Sequence, residues 1–357
     1  MFVVSEAELI PVDRENAHVP QPWNPKLISP SRVNSFLQCG VAFKLHYVDG
    51  IPEARSGSAA LFGNVMHTGL EHWHLDHSQD LVTLTAAAWF ENTKAHRATQ
   101  NFIKAYQHLS VQAMKKEKEI RDDWASRGKE SKAPRMTADW KKSDVAIAIN
   151  RLLAEHLPKL ADAPWQFSER DPLPALYDES LIVAAKYQRK YQGTPAALHT
   201  EFGFKFERNG NILRGYIDAI DPILDDDGVL VGYGVEDYKT YRQLNTAMKD
   251  WRQGVIYDLA VADLIKRGVL DLDPDLPRYV IFNYVRLLIK KDYVYGEKDY
   301  AKLDEELALY TKAIDNDIFL PAEKNSNPDF CGYPEQCCLN FRGEGVGCRG
   351  GLYQDEA

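Results

Sequence analysis

The stretch Arg214-Gly-Tyr-Ile-Asp218, followed by Asp225-Asp-Asp-Gly228 and then by Asp237-Tyr-Lys239, decides how this chain is read. Asp-Gly is a strong hairpin-turn signal. The flanking runs, Ile212 to Ile223 and Val229 to Tyr238, are rich in β-branched and aromatic residues, which favour strands. With Asp227-Gly228 as a two-residue loop, counting outward pairs Asp226 with Val229 and, further along, Asp218 with Asp237. Directly opposed residues of an antiparallel pair project to one face. Lys239, two residues past Asp237, shares that face by strand alternation. Two carboxylates and a lysine converging in this way suit a divalent cation and a phosphate. Pro222 cannot donate to a ladder, so it signals an edge or a bulge able to shift this register.

Taken alone, an acid-x-base triplet is weak. With 52 acidic and 43 basic residues in 357, chance supplies about six of them, and charged strand residues are usually a solvated face. Here the triplet lies in Gly234 to Thr240, just after the apolar Val229-Leu-Val231. Charge at the end of a buried strand is costly unless it is paired or metal-bound.

Four further features accompany it. Gly63-Asn-Val-Met-His67-Thr-Gly-Leu-Glu71 reads as a helix with His67 and Glu71 on one face at i and i+4. The plainer reading is a core or surface histidine, or, with His72, His74 and His77, a histidine-rich exposed helix. Gln253-Gly-Val-Ile-Tyr257 opens a second helix, which alone is an ordinary amphipathic one. Ser29-Pro30 pairs a capping serine with a first-turn proline and starts a third. Finally, Cys39 stands apart from Cys331, Cys337, Cys338 and Cys348. The start, Met1-Phe-Val-Val-Ser-Glu, lacks a charged segment and a long apolar one, so the expected location is the cytosol. Disulfides are disfavoured there, and clustered cysteines read as ligands of zinc or an iron–sulfur cluster.

In this order the motifs resemble the RecB-type branch of the PD-(D/E)XK nucleases. Within it they are similar to members with an iron–sulfur staple, such as CRISPR-adaptation nucleases, the AddB nuclease domain and phage exonucleases. The resemblance spans roughly residues 27–350, with residues 80–195 matching no known pattern. It implies an α/β (α+β) fold: a restriction-endonuclease-like core with a mixed central sheet flanked by helices, a helical insertion and a cysteine-bound metal staple. It further implies that His67, Asp218, Asp237 and the main-chain carbonyl of Tyr238 bind Mg²⁺ or Mn²⁺. Lys239 then positions the attacking water and stabilises charge on the phosphate, while Gln253 and Tyr257 steady the lysine and contact DNA. Cys39, Cys331, Cys337 or Cys338, and Cys348 would hold a [4Fe–4S] cluster, with Zn²⁺ as the alternative. The chain departs from its relatives in having Cys39-Gly40 rather than Cys-Pro, and in the wide spacing of its last cysteines.

Composition fits a water-soluble enzyme: 45% hydrophobic residues, net charge −9, and no apolar run of membrane-spanning length. The acidic balance argues against a general polyanion binder. Between Asn101 and Lys142, however, 11 Lys/Arg face 6 Asp/Glu, with Tyr106, Trp124 and Trp140 interleaved. That region suits either DNA contact or a solvated helical insertion. The expected organisation is an extended arm over 1–26, nuclease helices carrying Cys39 and His67 over 27–80, a helical insertion over 81–195, the core over 196–320 and the cysteine cluster over 321–357. No phosphate-binding loop marks an ATPase, so a helicase or recombinase would be supplied in trans. The expected function is a metal-dependent DNA exonuclease of recombination, repair or phage DNA processing, in a bacterial, archaeal or phage-infected cytosol. The alternatives are a non-catalytic DNA-binding scaffold and a hydrolase of small phosphate esters.

Overall fold

The chain reverses through two hairpins, and these build the centre of a mixed six-stranded sheet. The computed structural model describes residues 23–51, 56–127, 139–160, 163, 165–167, 171–244, 250–320 and 333. The first hairpin joins β4 (His199–Arg208) to β5 (Asn211–Leu224) through Asn209-Gly210, both with positive φ (51° and 75°). Asn-Gly is the residue pair that a tight two-residue turn of this kind favours.

The second hairpin joins β5 to β6 (Leu230–Lys239) and differs from the expected one. Its loop is one residue longer. The Asp225 amide donates to the Val229 carbonyl, the Gly228 amide donates to Asp225, and Gly228 takes φ 79°. A register shift between Ile223 and Leu224 then absorbs the extra residue. Beyond this bulge Pro222 pairs with Tyr233 and Ala219 with Glu236, the register that a two-residue loop would have given. The longer turn and the bulge cancel, so Asp218 and Asp237 fall at opposed positions.

From β6 the chain crosses over through α8 (Trp251–Lys266) to β7 (Arg278–Tyr284), parallel to β6. A turn at Val285–Leu288 ends β7 and leads into an antiparallel β8 (Ile289–Tyr293). A short β1 (Leu27–Ile28) pairs with Ile212 and Leu213 of β5. It lies on the same edge of β5 as β6, because β4 takes the other edge. Among the described residues, 214–218 on that edge pair with no strand, which leaves a notch beside Asp218.

Helices cover both faces. On one, α1 (Pro30–Gln38), α8 and α9 (Glu297–Asp315) bury Val33, Val255, Val261, Leu303 and Leu307 against Ile217, Val235 and Phe282. On the other, α3 (Ser58–Leu75), α4 (Leu81–Asn92), α5 (Arg97–Ser126), α6 (Asp144–His156) and α7 (Leu173–Tyr191) form a second core around Trp73, Trp89, Phe102 and Tyr177. Between α1 and α3 lie a one-turn α2 (Gly40–Phe43) and a π-helical turn over Lys44–Val48, and β2 (Ser56–Gly57) pairs with β3 (Trp165–Gln166). The expected cap of α1 is present, since Ser29 Oγ accepts the Arg32 amide at 3.3 Å behind Pro30. No helix among the described residues is long and apolar enough to cross a membrane.

Candidate active site

The notch beside Asp218 is where the two helical layers meet. Strand β6 brings Asp237 and Lys239 to its carboxyl end, a common position for sites in crossover folds. The lysine ammonium lies 2.7 Å from Asp237 Oδ2 and donates to Gln253 Oε1 at 2.7 Å. The other end of the same amide, Gln253 Nε2, donates to Asp237 Oδ1 at 2.5 Å and to the Tyr257 hydroxyl at 2.8 Å. A glutamine can do both because it carries an acceptor and a donor on one rigid group. Gln253 and Tyr257 stand one turn apart on α8, so the i, i+4 spacing seen in the sequence is what lets them touch.

From the opposite layer, α3 sends His67 to the other side of the notch. Its Nε2 contacts the Tyr238 carbonyl at 3.0 Å, and its Nδ1 lies 3.4 Å from Asp218 Oδ1. Asp218 Oδ2 accepts the Tyr238 amide at 2.6 Å, so the carboxylate replaces a ladder partner where the strands part. Gly63, one turn before His67, faces Thr240, where a Cβ would make an ordinary 3.4 Å contact with Thr240 Oγ1. Glu71, on the same face of the sequence helix, is fully buried.

One residue was missed. Glu201 occupies the β4 position that faces Asp218, between the pairs Thr200–Ala219 and Phe202–Ile217. It has φ 45°, an unusual conformation for a residue other than glycine. His67, Glu201 and Asp218 bring one ligand atom each within 4.8 Å of one another, a spacing able to hold a cation. The Asn209-Gly210 turn carried the signal, because counting inward from it sets Glu201 opposite Asp218.

Electrostatics follow from this crowding. Burial alone would lower the His67 pKa, but Asp218 foremost, with Asp237 and Glu201, outweighs it and raises it to about 9. Burial pushes Asp237 up to about 6 despite Lys239. Lys239 is itself disfavoured by burial, yet Asp237 and Asp250 hold it above its ordinary value. It therefore serves as a cation rather than a free amine. The oxygen and imidazole donors match Mg²⁺ or Mn²⁺ in hardness, the histidine tilting the set toward Mn²⁺.

Other expected residues lie elsewhere. Cys39 is half-buried, and its sulfur accepts the Ala42 amide at 3.5 Å. Cys331, Cys337, Cys338 and Cys348 fall outside the described residues. On α5 and at its C-cap, the basic side chains Lys116, Arg121 and Arg127 pair with Glu119, Glu117 and Asp123 of that helix. Tyr106 and Trp124 are buried, Tyr106 donating to Asp178 at 2.6 Å, so neither is a stacking platform for bases.

No curated protein matches the chain. Among solved structures, a Eubacterium rectale protein provisionally named an exonuclease matches over 90% of this chain and 92% of its own, at 10% identity and a TM-score of 0.41, and that likeness carries no weight here. Weight comes from the family comparison: the family model described as the PD-(D/E)XK nuclease superfamily matches residues 27–146 and 146–338, a span that takes in every motif of the notch. By that match, on a mixed sheet flanked by helices, the chain belongs to the PD-(D/E)XK nuclease superfamily.

Proposed function

We propose that this chain is a divalent-cation-dependent deoxyribonuclease of the RecB-type branch, acting as an exonuclease on DNA ends or single strands. The observation that carries the reading is a lysine shared between Asp237 and Gln253, beside a cation-sized cluster of His67, Glu201 and Asp218. In this reading His67, Asp218, Asp237 and the Tyr238 carbonyl are the Mg²⁺ or Mn²⁺ ligands, with Glu201 added to them. Once bound, the cation supplies an acidified water and draws charge from the phosphoryl oxygens. Lys239 holds the phosphate and orients the water, and Gln253 and Tyr257 fix Lys239 and Asp237 relative to each other.

The same proposal gives Cys39, Cys331, one of Cys337 and Cys338, and Cys348 a [4Fe–4S] cluster, with zinc as the alternative. Two contacts support it. Tyr333, two residues past Cys331, is buried against Val41 and Leu45 beside Cys39, its hydroxyl bonded to His46 Nδ1 at 2.8 Å and to the Ile51 carbonyl at 2.9 Å. Gly40 also has a local reason: a Cβ there would lie 2.7 Å from the Leu320 amide nitrogen, so the run toward the tail passes directly over Cys39-Gly40. A cluster spanning both segments would tie the start of the nuclease domain to its end. Recombination, repair or phage DNA processing, with a helicase or recombinase in trans, is the matching context.

The test is digestion of 5′- and 3′-labelled single- and double-stranded DNA with Mg²⁺ or Mn²⁺. Cation-dependent release of label from one end supports the exonuclease and gives its polarity. Binding of DNA without cleavage by cluster-loaded protein would replace it with the scaffold reading.

A further inference from the structure

Asp237 is claimed twice in the proposed function: by the cation, and by Lys239 at 2.7 Å. A carboxylate that keeps a tight ion pair gives a weaker ligand, so the lysine needs another counter-charge when the cation binds. Asp250 is placed to supply it. It is 8% exposed, and its Oδ1 lies 3.6 Å from Lys239 Nζ.

The position of Asp250 in the chain makes this orientation informative. It is the N-cap of α8, where an aspartate normally turns its side chain back to accept an amide of the first helical turn. Here the side chain makes no such bond; only its backbone carbonyl serves the helix, accepting the Gly254 amide at 3.0 Å. The carboxylate is thus withheld from capping and directed at the lysine. Among the described residues, the other titratable groups that feel it are Tyr241, Tyr284 and Tyr295, whose phenols stay neutral at ordinary pH because burial raises all three.

We propose that Asp250 is a positioning residue that shares Lys239 and so frees Asp237 for the divalent cation. The inference rests on the metal site of the preceding reading. With Asp250 present, Lys239 keeps two partners, Asp250 and Gln253, when Asp237 turns to the cation. Without it, Lys239 competes with the cation for Asp237.

The experiment is Mn²⁺ binding to the full chain without DNA, by calorimetry, for wild type, Asp250→Asn, Asp250→Glu, Lys239→Met and the Asp250→Asn/Lys239→Met pair. Asparagine is as good an N-cap as aspartate, so the start of α8 is preserved, and a melting curve for each variant verifies folding. The expected result is about tenfold weaker Mn²⁺ binding for Asp250→Asn, in the usual range for coupled neighbours. Asp250→Glu should restore most of it, and Lys239→Met should bind at least as tightly as wild type. In the Lys239→Met background, Asp250→Asn should have no further effect. Wild-type affinity in Asp250→Asn, or an equal loss with and without Lys239, would overturn the role of Asp250. A wild type that takes up no Mn²⁺ would overturn the metal reading beneath it.

Discussion

Glu236 and Asp237 are neighbours on one strand, both buried acids with a lysine partner, yet they face environments of different kinds. Glu236, on the side of α3 and α7, is ion-paired with Lys290 and accepts Asn283 Nδ2 at 2.9 Å. Asn283 in turn donates to the Tyr187 hydroxyl at 2.6 Å, and His74 lies 3.2 Å from that hydroxyl. Burial holds His74 neutral, lowering its pKa to about 4, and raises both Glu236 and Asp221. Around Asp237, among the described residues, the formal charges are Asp218, Glu201 and Asp250 as well, against Lys239 and His67. That excess of acid, gathered where β5 and β6 part, is what a dication would neutralise. A buried ion pair is therefore not a site in itself. The notch in the sheet makes the difference, because it lets carboxylates and an imidazole from α3, β4, β5 and β6 converge.

The comparison can be broken at either acid. In the proposed function, Asp237→Asn should lower cleavage by about a thousandfold or more while the protein stays folded, since it removes an anionic ligand of the cation that would stabilise the transition-state charge; initial rates and a melting curve read both. Glu236→Ala should do the reverse. It leaves Lys290, its side chain 27% exposed, with the more distant Asp221 carboxylate at 3.8 Å, at a cost of about 3 kcal/mol, and denaturant unfolding should show the loss while cleavage per folded molecule is retained. Adding Lys290→Met should recover much of that stability.

A pH titration sharpens the contrast. His67 must lose its proton to bind a cation, and its pKa of about 9 puts that proton on at neutral pH. Mn²⁺ affinity should therefore fall about tenfold per unit as the pH drops below 9, and level off above it. In the cation-free protein the sign is opposite. The raised pKa stabilises the fold fully below the ordinary value of 6.5, and this contribution fades as the pH rises through about 9. His74, whose pKa is lowered, should show neither effect in that window. The smallest change expected is Tyr257→Phe, which removes a hydroxyl 3.4 Å from Asp237 Oδ1 and should cost cleavage only about tenfold or less.

Much of the site could be read from spacing. Asp218, Asp237 and Lys239 follow from strand alternation and one turn, and Gln253 with Tyr257 from one helical turn. The hairpin register came out right through two opposite errors: the loop is longer by one residue, and the bulge beside Pro222 absorbs it. Glu201 was within reach through Asn209-Gly210. Asp250 was not, because its role depends on a side chain declining its usual capping bond. Nor could the partners of Glu236 be read, since Asn283 and Lys290 reach it only through the parallel crossover to β7 and the strand that follows it.

The most direct test sets the two neighbours side by side: cleavage of labelled DNA with Mn²⁺, and thermal unfolding, for Asp237→Asn and Glu236→Gln. The expected result is a folded, inactive Asp237→Asn and a less stable Glu236→Gln that cleaves normally per folded molecule. Full cleavage by Asp237→Asn, or a stable but inactive Glu236→Gln, would contradict it.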